Sequence, residues 1–229
     1  MSTTSIIQTP TPSLETSKAY YQKLGFTEIH ADQSVFFSDE KVVVEINPER
    51  FARPGIKLFS SDWKTSLQSI EGFCKPHSID GGHIVSDPSG TWIYLMDGDG
   101  PDFKNDAESS ILGNYMGVSL EVVDMKAGHS FWAALGFEIT MGSAEQGWVA
   151  MQNKNGTGIS LMKPMSCPHL FYNPSLTYFN GKSNLEVIAK IRESGVLFVE
   201  EITQFNAEGV ADNVILRDPG GLGFFVFSD

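Results

Sequence analysis

The chain repeats itself in a fixed order. Leu-Gly-Phe occurs at Leu24-Gly25-Phe26 and again at Leu135-Gly136-Phe137, each time closing a short amphipathic stretch. Asp-Pro-x-Gly occurs at Asp87-Pro88-Ser89-Gly90 and at Asp218-Pro219-Gly220-Gly221, each time running into an aromatic-rich, strand-like segment. The first motifs lie 111 residues apart and the second 131, so the halves are duplicates with an insertion in the second. Duplication limits both the architecture and the places where a site can sit.

Within each half the pattern divides again. A strand near Ser5 to Thr9 precedes a helix with Ser13 as N-cap and Glu15 in its first turn, where the helix dipole favours an anion. Leu14, Tyr21 and Leu24 share a face and Gly25 supplies the stop. Strands are expected over 27–30, 34–38 and 42–46. A second unit opens at Ile56 to Phe59, with a helix from near Asp62 to Gly72 and strands at 84–86 and 91–96; it reads as trimmed. The third runs from Met116 to about Pro164 with Asp124 as N-cap. The fourth has a capping box in Ser183 and Glu186 and a stop at Gly195. Four β-α-β-β-β modules make an α+β chain, divided as domain 1 over 1–98, an acidic linker over 99–113 and domain 2 over 114–229.

Composition narrows the partners. The formal charge is −12, which repels phosphate backbones, and no basic stripe interrupts it, so nucleic acid is not expected. No apolar run approaches the roughly 18 to 20 residues of a membrane span. The N-terminus has no basic flank and apolar core of a leader, and Cys74 and Cys167 offer no disulfide framework; the expectation is a cytoplasmic protein.

A helix ending in Leu-Gly-Phe followed by strands, and Asp-Pro-x-Gly before a last strand, in duplicate, resembles the vicinal oxygen chelate superfamily of glyoxalases, bleomycin-resistance proteins and extradiol dioxygenases. The resemblance covers nearly the whole chain. It implies paired modules whose mixed sheets curl into cups holding a ligand on the concave face. In metal-using members, His, Gln or Glu on the first and last strands of each module hold a divalent cation such as Zn, Ni, Mn or Fe, leaving positions open for two substrate oxygens.

Residue by residue, the match is partial. Gln8 and Glu45 correspond to ligand positions, and a carboxylate amid Val42, Val43, Val44 and Ile46 is costly to bury unpaired. The alternative is a Gln8 hydrogen-bonded to backbone and a solvated Glu45. In the second module no His stands on the opening strand, and Tyr94 takes the terminal position. In the second half Ser119, Ser160 or Leu161, Thr177 and Phe225 replace the donors. The five histidines carry no chelating spacing, and Cys167 with His169 makes a poor nucleophile and base. What remains is aromatic: Trp92, Tyr94, Trp148, Tyr178 and Phe225 are expected to line the cups.

The expected function is therefore a binder of a small organic molecule, with a degenerate or absent metal site and an aromatic pocket. It needs no cofactor and is a monomer or homodimer. Against it stand a divalent-metal-dependent lyase, isomerase or extradiol dioxygenase, supported by Gln8 and Glu45, and a protein–protein module with no ligand.

Overall fold

A computed structural model describes residues 5–31, 34–103 and 107–228. Met1 to Thr4 of the N-terminus and Lys104 to Asp106 of the expected linker lie outside the described residues. The strands form two eight-stranded mixed sheets. The first contains β1 (Ser5–Pro10), β2 (Thr27–Ala31), β3 (Ser34–Ser38), β4 (Val43–Asn47), β5 (Gly55–Ser60), β6 (His77–Ile79), β7 (Gly82–Ser86) and β8 (Trp92–Asp97), in the order β2-β3-β4-β1-β5-β8-β7-β6. The second contains β9 (Tyr115–Glu121), β10 (Phe137–Ser143), β11 (Trp148–Asn153), β12 (Gly158–Met162), β13 (Ser175–Phe179), β14 (Glu200–Ile202), β15 (Asn213–Arg217) and β16 (Gly223–Phe227). Its order, β10-β11-β12-β9-β13-β16-β15-β14, repeats the first. Within each module the first and last strands pair in parallel; the two modules of a sheet join through antiparallel β1–β5 or β9–β13.

Each module carries one helix: α1 (Leu14–Lys23), α2 (Lys64–Ile70), α3 (Met125–Ala134) and α4 (Asn184–Ser194). Ser13 caps α1 and Asp124 caps α3, its Oδ1 accepting the Ala127 N–H at 2.9 Å. Leu-Gly-Phe ends α1 and α3 because Gly25 (φ 80°) and Gly136 (φ 86°) take the left-handed conformation that a side chain resists. Two expectations change. Ser183 is not the box of α4: a 3₁₀ turn over Gly181–Ser183 precedes the helix, so its backbone is already helical and its hydroxyl makes no cap bond. The second module is not trimmed, since β6 and β7 restore its three trailing strands.

Strand alternation gives each sheet two unlike faces. On one, Ile7, Val44, Ile56 and Leu95 of the first sheet join Val118, Leu120, Leu176 and Phe224 of the second in a single contiguous core, with Tyr21, Phe131, Trp132 and Ile188 from the helices. The opposite faces are the cups. Among the described residues no helix is long and apolar enough to cross a membrane.

The domains lock reciprocally through buried carboxylates. Asp218 of the last Asp-Pro-x-Gly turn accepts hydrogen bonds from Thr9 Oγ1 at 2.8 Å and Tyr21 OH at 3.0 Å, both in the first domain. Asp39, in the β3–β4 turn, accepts one from Tyr178 OH of β13 at 2.7 Å. Its other oxygen takes the backbone N–H of Val42 at 2.9 Å.

Candidate functional site

Alternation puts Ile6 and Gln8 of β1, Glu45 and Asn47 of β4, Lys57 of β5, and Trp92 and Tyr94 of β8 on the cup face of the first sheet. The register sets Gln8 beside Glu45, Ile6 beside Lys57, and Lys57 beside Tyr94. Gly55 permits the close approach of β8, because a Cβ there would sit 2.5 Å from the Trp92 carbonyl oxygen and 2.9 Å from the Tyr94 ring. Phe103, from the segment after β8, packs edge-on against Phe36 of β3 at 4.9 Å and with Ile6 and Ile29 closes one side.

The polar groups of this cup are largely partnered. Lys57 Nζ donates to Glu45 Oε2 at 2.5 Å, with the two side chains 14% and 10% exposed. Gln8 donates from Nε2 to the Arg53 carbonyl at 3.0 Å and accepts from Asn47 Nδ2 at 2.9 Å. The Tyr94 hydroxyl donates to the same Arg53 carbonyl at 3.3 Å and accepts the Arg53 N–H at 3.4 Å. Burial pushes its phenol above the ordinary range, with the Arg53 backbone bond opposing, so Tyr94 is a neutral donor and acceptor. The Lys57 ammonium lies 5.8 Å from the Tyr94 ring centre and the Arg53 guanidinium 5.8 Å from that of Trp92.

These residues do not suit a divalent cation. Of the four strand positions that would supply donors, Gln8 has its amide engaged in hydrogen bonds, Tyr94 is a phenol, and Lys57 is itself a cation. Only Glu45 is a firm ligand, and the ammonium already holds it. Two positive charges added about 4 Å from Lys57 would meet a repulsion of about 8 kcal/mol at the effective dielectric of such sites. Among the described residues no group of three His, Cys, Asp or Glu side chains is placed to hold a metal.

The second cup is more completely filled. In register, Ser119, Ser160, Thr177 and Phe225 stand where Gln8, Glu45, Lys57 and Tyr94 stand in the first, and Ser160 rather than Leu161 faces the cup. Ser119 and Thr177 hydroxyls bond each other at 2.6 Å. Over them residues 163–174 fold back. Phe171 meets the Phe225 ring at 4.8 Å, and the His169 ring sits edge-on to Phe225 at 5.3 Å and Phe227 at 5.1 Å. The Leu170 N–H to Glu200 at 2.7 Å and Gln204 Nε2 to the Pro168 carbonyl at 2.9 Å pin this strap.

Of the five aromatics expected in the cups, the structure brings Trp92 and Tyr94 together, 6.1 Å apart. Phe225 does face its cup but is buried beneath the strap. Trp148 lies on β11, four strands from Phe225, or about 19 Å at the usual interstrand spacing. Tyr178 is a correction. It points to the shared core, because in β13 Thr177 takes the cup face and its neighbours Leu176 and Tyr178 take the other. Cys167 and His169 form no couple: the thiol meets Met162 Sδ at 3.3 Å and burial pushes its pKa up, while the imidazole lies among the aromatic rings. Lys57 was the residue missed. A lysine inside Ile56-Lys57-Leu58-Phe59 was as legible as Glu45 inside its own apolar run, and the same alternation argument applied.

No protein-family model matches the sequence, and no curated protein does. Solved structures do match in fold. A catechol 2,3-dioxygenase superposes with a TM-score of 0.58 at 11% identity, covering 98% of this chain and 88% of that one. The 2,3-dioxygenase LapB from Pseudomonas sp. KL28 gives 0.59 at 15%, over 96% and 89%. The Mn(II)-bound glyoxalase from Novosphingobium aromaticivorans gives 0.57 at 14%, over 98% and 81%. At such identities the likeness is one of fold. With two sheets of matching order, four modules and near-complete coverage, the chain has the vicinal oxygen chelate fold in its tandem, two-domain form.

Proposed function

We propose that the chain is a metal-independent binder of a small organic molecule, with its ligand site in the first cup. The observation that carries this is the Lys57–Glu45 ion pair, which commits to a side-chain cation the one carboxylate among the strand positions that the resemblance would make ligands. Beside it, the half-buried Trp92 offers a ring surface backed by the buried Tyr94, and Arg53 offers donors at the rim. Such a convergence of flat apolar surface and a few placed polar groups is what small-molecule sites use. The second cup, filled by its own strap, is assigned a structural role.

The test is the metal content of protein purified without a histidine tag, before and after supplementation with Mn, Fe, Ni or Zn. Substoichiometric metal and an unchanged thermal midpoint are expected throughout. Stoichiometric metal that Glu45→Ala abolishes would overturn the reading in favour of the metal-dependent enzyme, for which the Gln8–Glu45 pairing in register is the supporting observation.

A further inference from the structure

Charge and aromatic surface coincide in the first cup, and together they specify more than a generic pocket. Resting on the metal-independent reading above, we propose that its ligand is a flat organic carboxylate, with a conjugated ring against Trp92 and the anion held between Lys57 and Arg53.

Three observations support this. First, an ammonium has three N–H donors, and Glu45 is the one hydrogen-bond acceptor Lys57 meets among the described residues. At 14% exposure, its other donors have little water to satisfy them, and an incoming oxygen would. Second, among the described residues the Arg53 guanidinium donates to the Ala52 carbonyl alone, at 2.8 Å, and no carboxylate pairs with it. Its planar fork matches a carboxylate better than any single-point anion. Third, Lys57 on β5 and Arg53 just ahead of that strand bring two cations to positions where Glu45 is the paired carboxylate, in a chain of net charge −12. A local excess of positive charge on an acidic molecule favours an anion there. The rings supply the remaining selectivity. Trp92 is the half-buried ring that an incoming ring can meet, while Tyr94, 6% exposed and tilted at 56° to it, backs it from below.

The experiment is titration of the full chain, in EDTA and separately with added Mn(II), with 2-naphthoate, 2-naphthamide and 2-naphthylmethylamine, followed by calorimetry. In EDTA the carboxylate is expected to bind, the amide at least tenfold more weakly, and the amine not at all. Lys57→Met should weaken 2-naphthoate at least tenfold. Arg53→Met, at an exposed side chain whose loss leaves the fold intact, should weaken it at least fivefold. Equal binding of amide and carboxylate, no binding of the carboxylate in either condition, or an Arg53→Met affinity equal to wild type would overturn the proposal while leaving metal independence standing. Binding of the carboxylate only with Mn(II), yet still sensitive to Arg53→Met, would overturn metal independence and leave the ligand class standing.

Discussion

Asp218 sits where a carboxylate is least comfortable. It is fully buried, and desolvation raises its pKa from 3.8 to about 6, against the opposing hydrogen bonds from Thr9, Leu222 and Tyr21. The native state therefore binds a proton more tightly than the unfolded chain, and the sign follows. Above pH 6 the ionised group costs the fold about 3 kcal/mol, a cost relieved as pH falls through 6 and gone below 3.8. Denaturant unfolding of wild type and Asp218→Asn between pH 7.5 and 4 should show wild type gaining on the variant as pH falls. A constant difference would refute this. Lys57 and Glu45 make a second residue-scale prediction. Removing the lysine leaves a nearly buried carboxylate unpaired, so Lys57→Met should cost about 3 kcal/mol, and the double change Lys57→Met with Glu45→Leu should recover most of it, as measured by urea melts. The placement of Gln8, Glu45, Trp92 and Tyr94 on neighbouring strands of one sheet face was legible from alternation and motif spacing. Lys57 was as legible on that face as Glu45, but their pairing was not, because it depends on the antiparallel joining of two modules whose register no local pattern encodes.

At the scale of elements, the two Asp-Pro-x-Gly turns do the same work with different residues. Ser89 Oγ of the first accepts the Val123 N–H at 3.2 Å, past the end of β9. Gly220 of the second lies so close to the end of β1 that a Cβ would fall 1.9 Å from the Pro10 carbonyl oxygen and 2.3 Å from Thr9 Oγ1. Each turn thus seats against the opening strand of the other domain. Gly220→Ala should cost at least about 2 kcal/mol by overpacking against backbone. Gly90→Ala, at φ 89° but with open space around it, should cost only about 1 kcal/mol of left-handed strain. Equal melting-temperature losses would argue against the seating. Helix stops and two N-caps were readable because glycine and short polar side chains act locally. β6 was not, being three residues with no alternation to show, and the strap over the second cup has no periodicity at all.

For the whole molecule, the governing fact is that one core serves both sheets. Duplication in the sequence suggested two domains and told nothing about which faces meet. The apolar run of a strand looks the same whether it packs on its own helix or on another domain. A fragment of residues 1–98 would expose the back of its sheet and leave Tyr21 and Asp39 without Asp218 and Tyr178. It should lack a cooperative unfolding transition by circular dichroism, whereas the full chain should melt in one step by calorimetry. Two separated transitions in the full chain would contradict the shared core.

The charge in the first cup belongs to the polypeptide. A bound ion has an occupancy set by its supply: it dissociates under starvation, yields to chelators, exchanges with competitors, and, if it is iron, changes its oxidation state with the cell's. The Lys57 ammonium does none of these. Its occupancy is one from the moment the chain folds. On the metal-independent reading proposed above, what this cup does is uncoupled from metal homeostasis and from oxidative stress, at the cost of the Lewis acidity that a side-chain cation cannot provide.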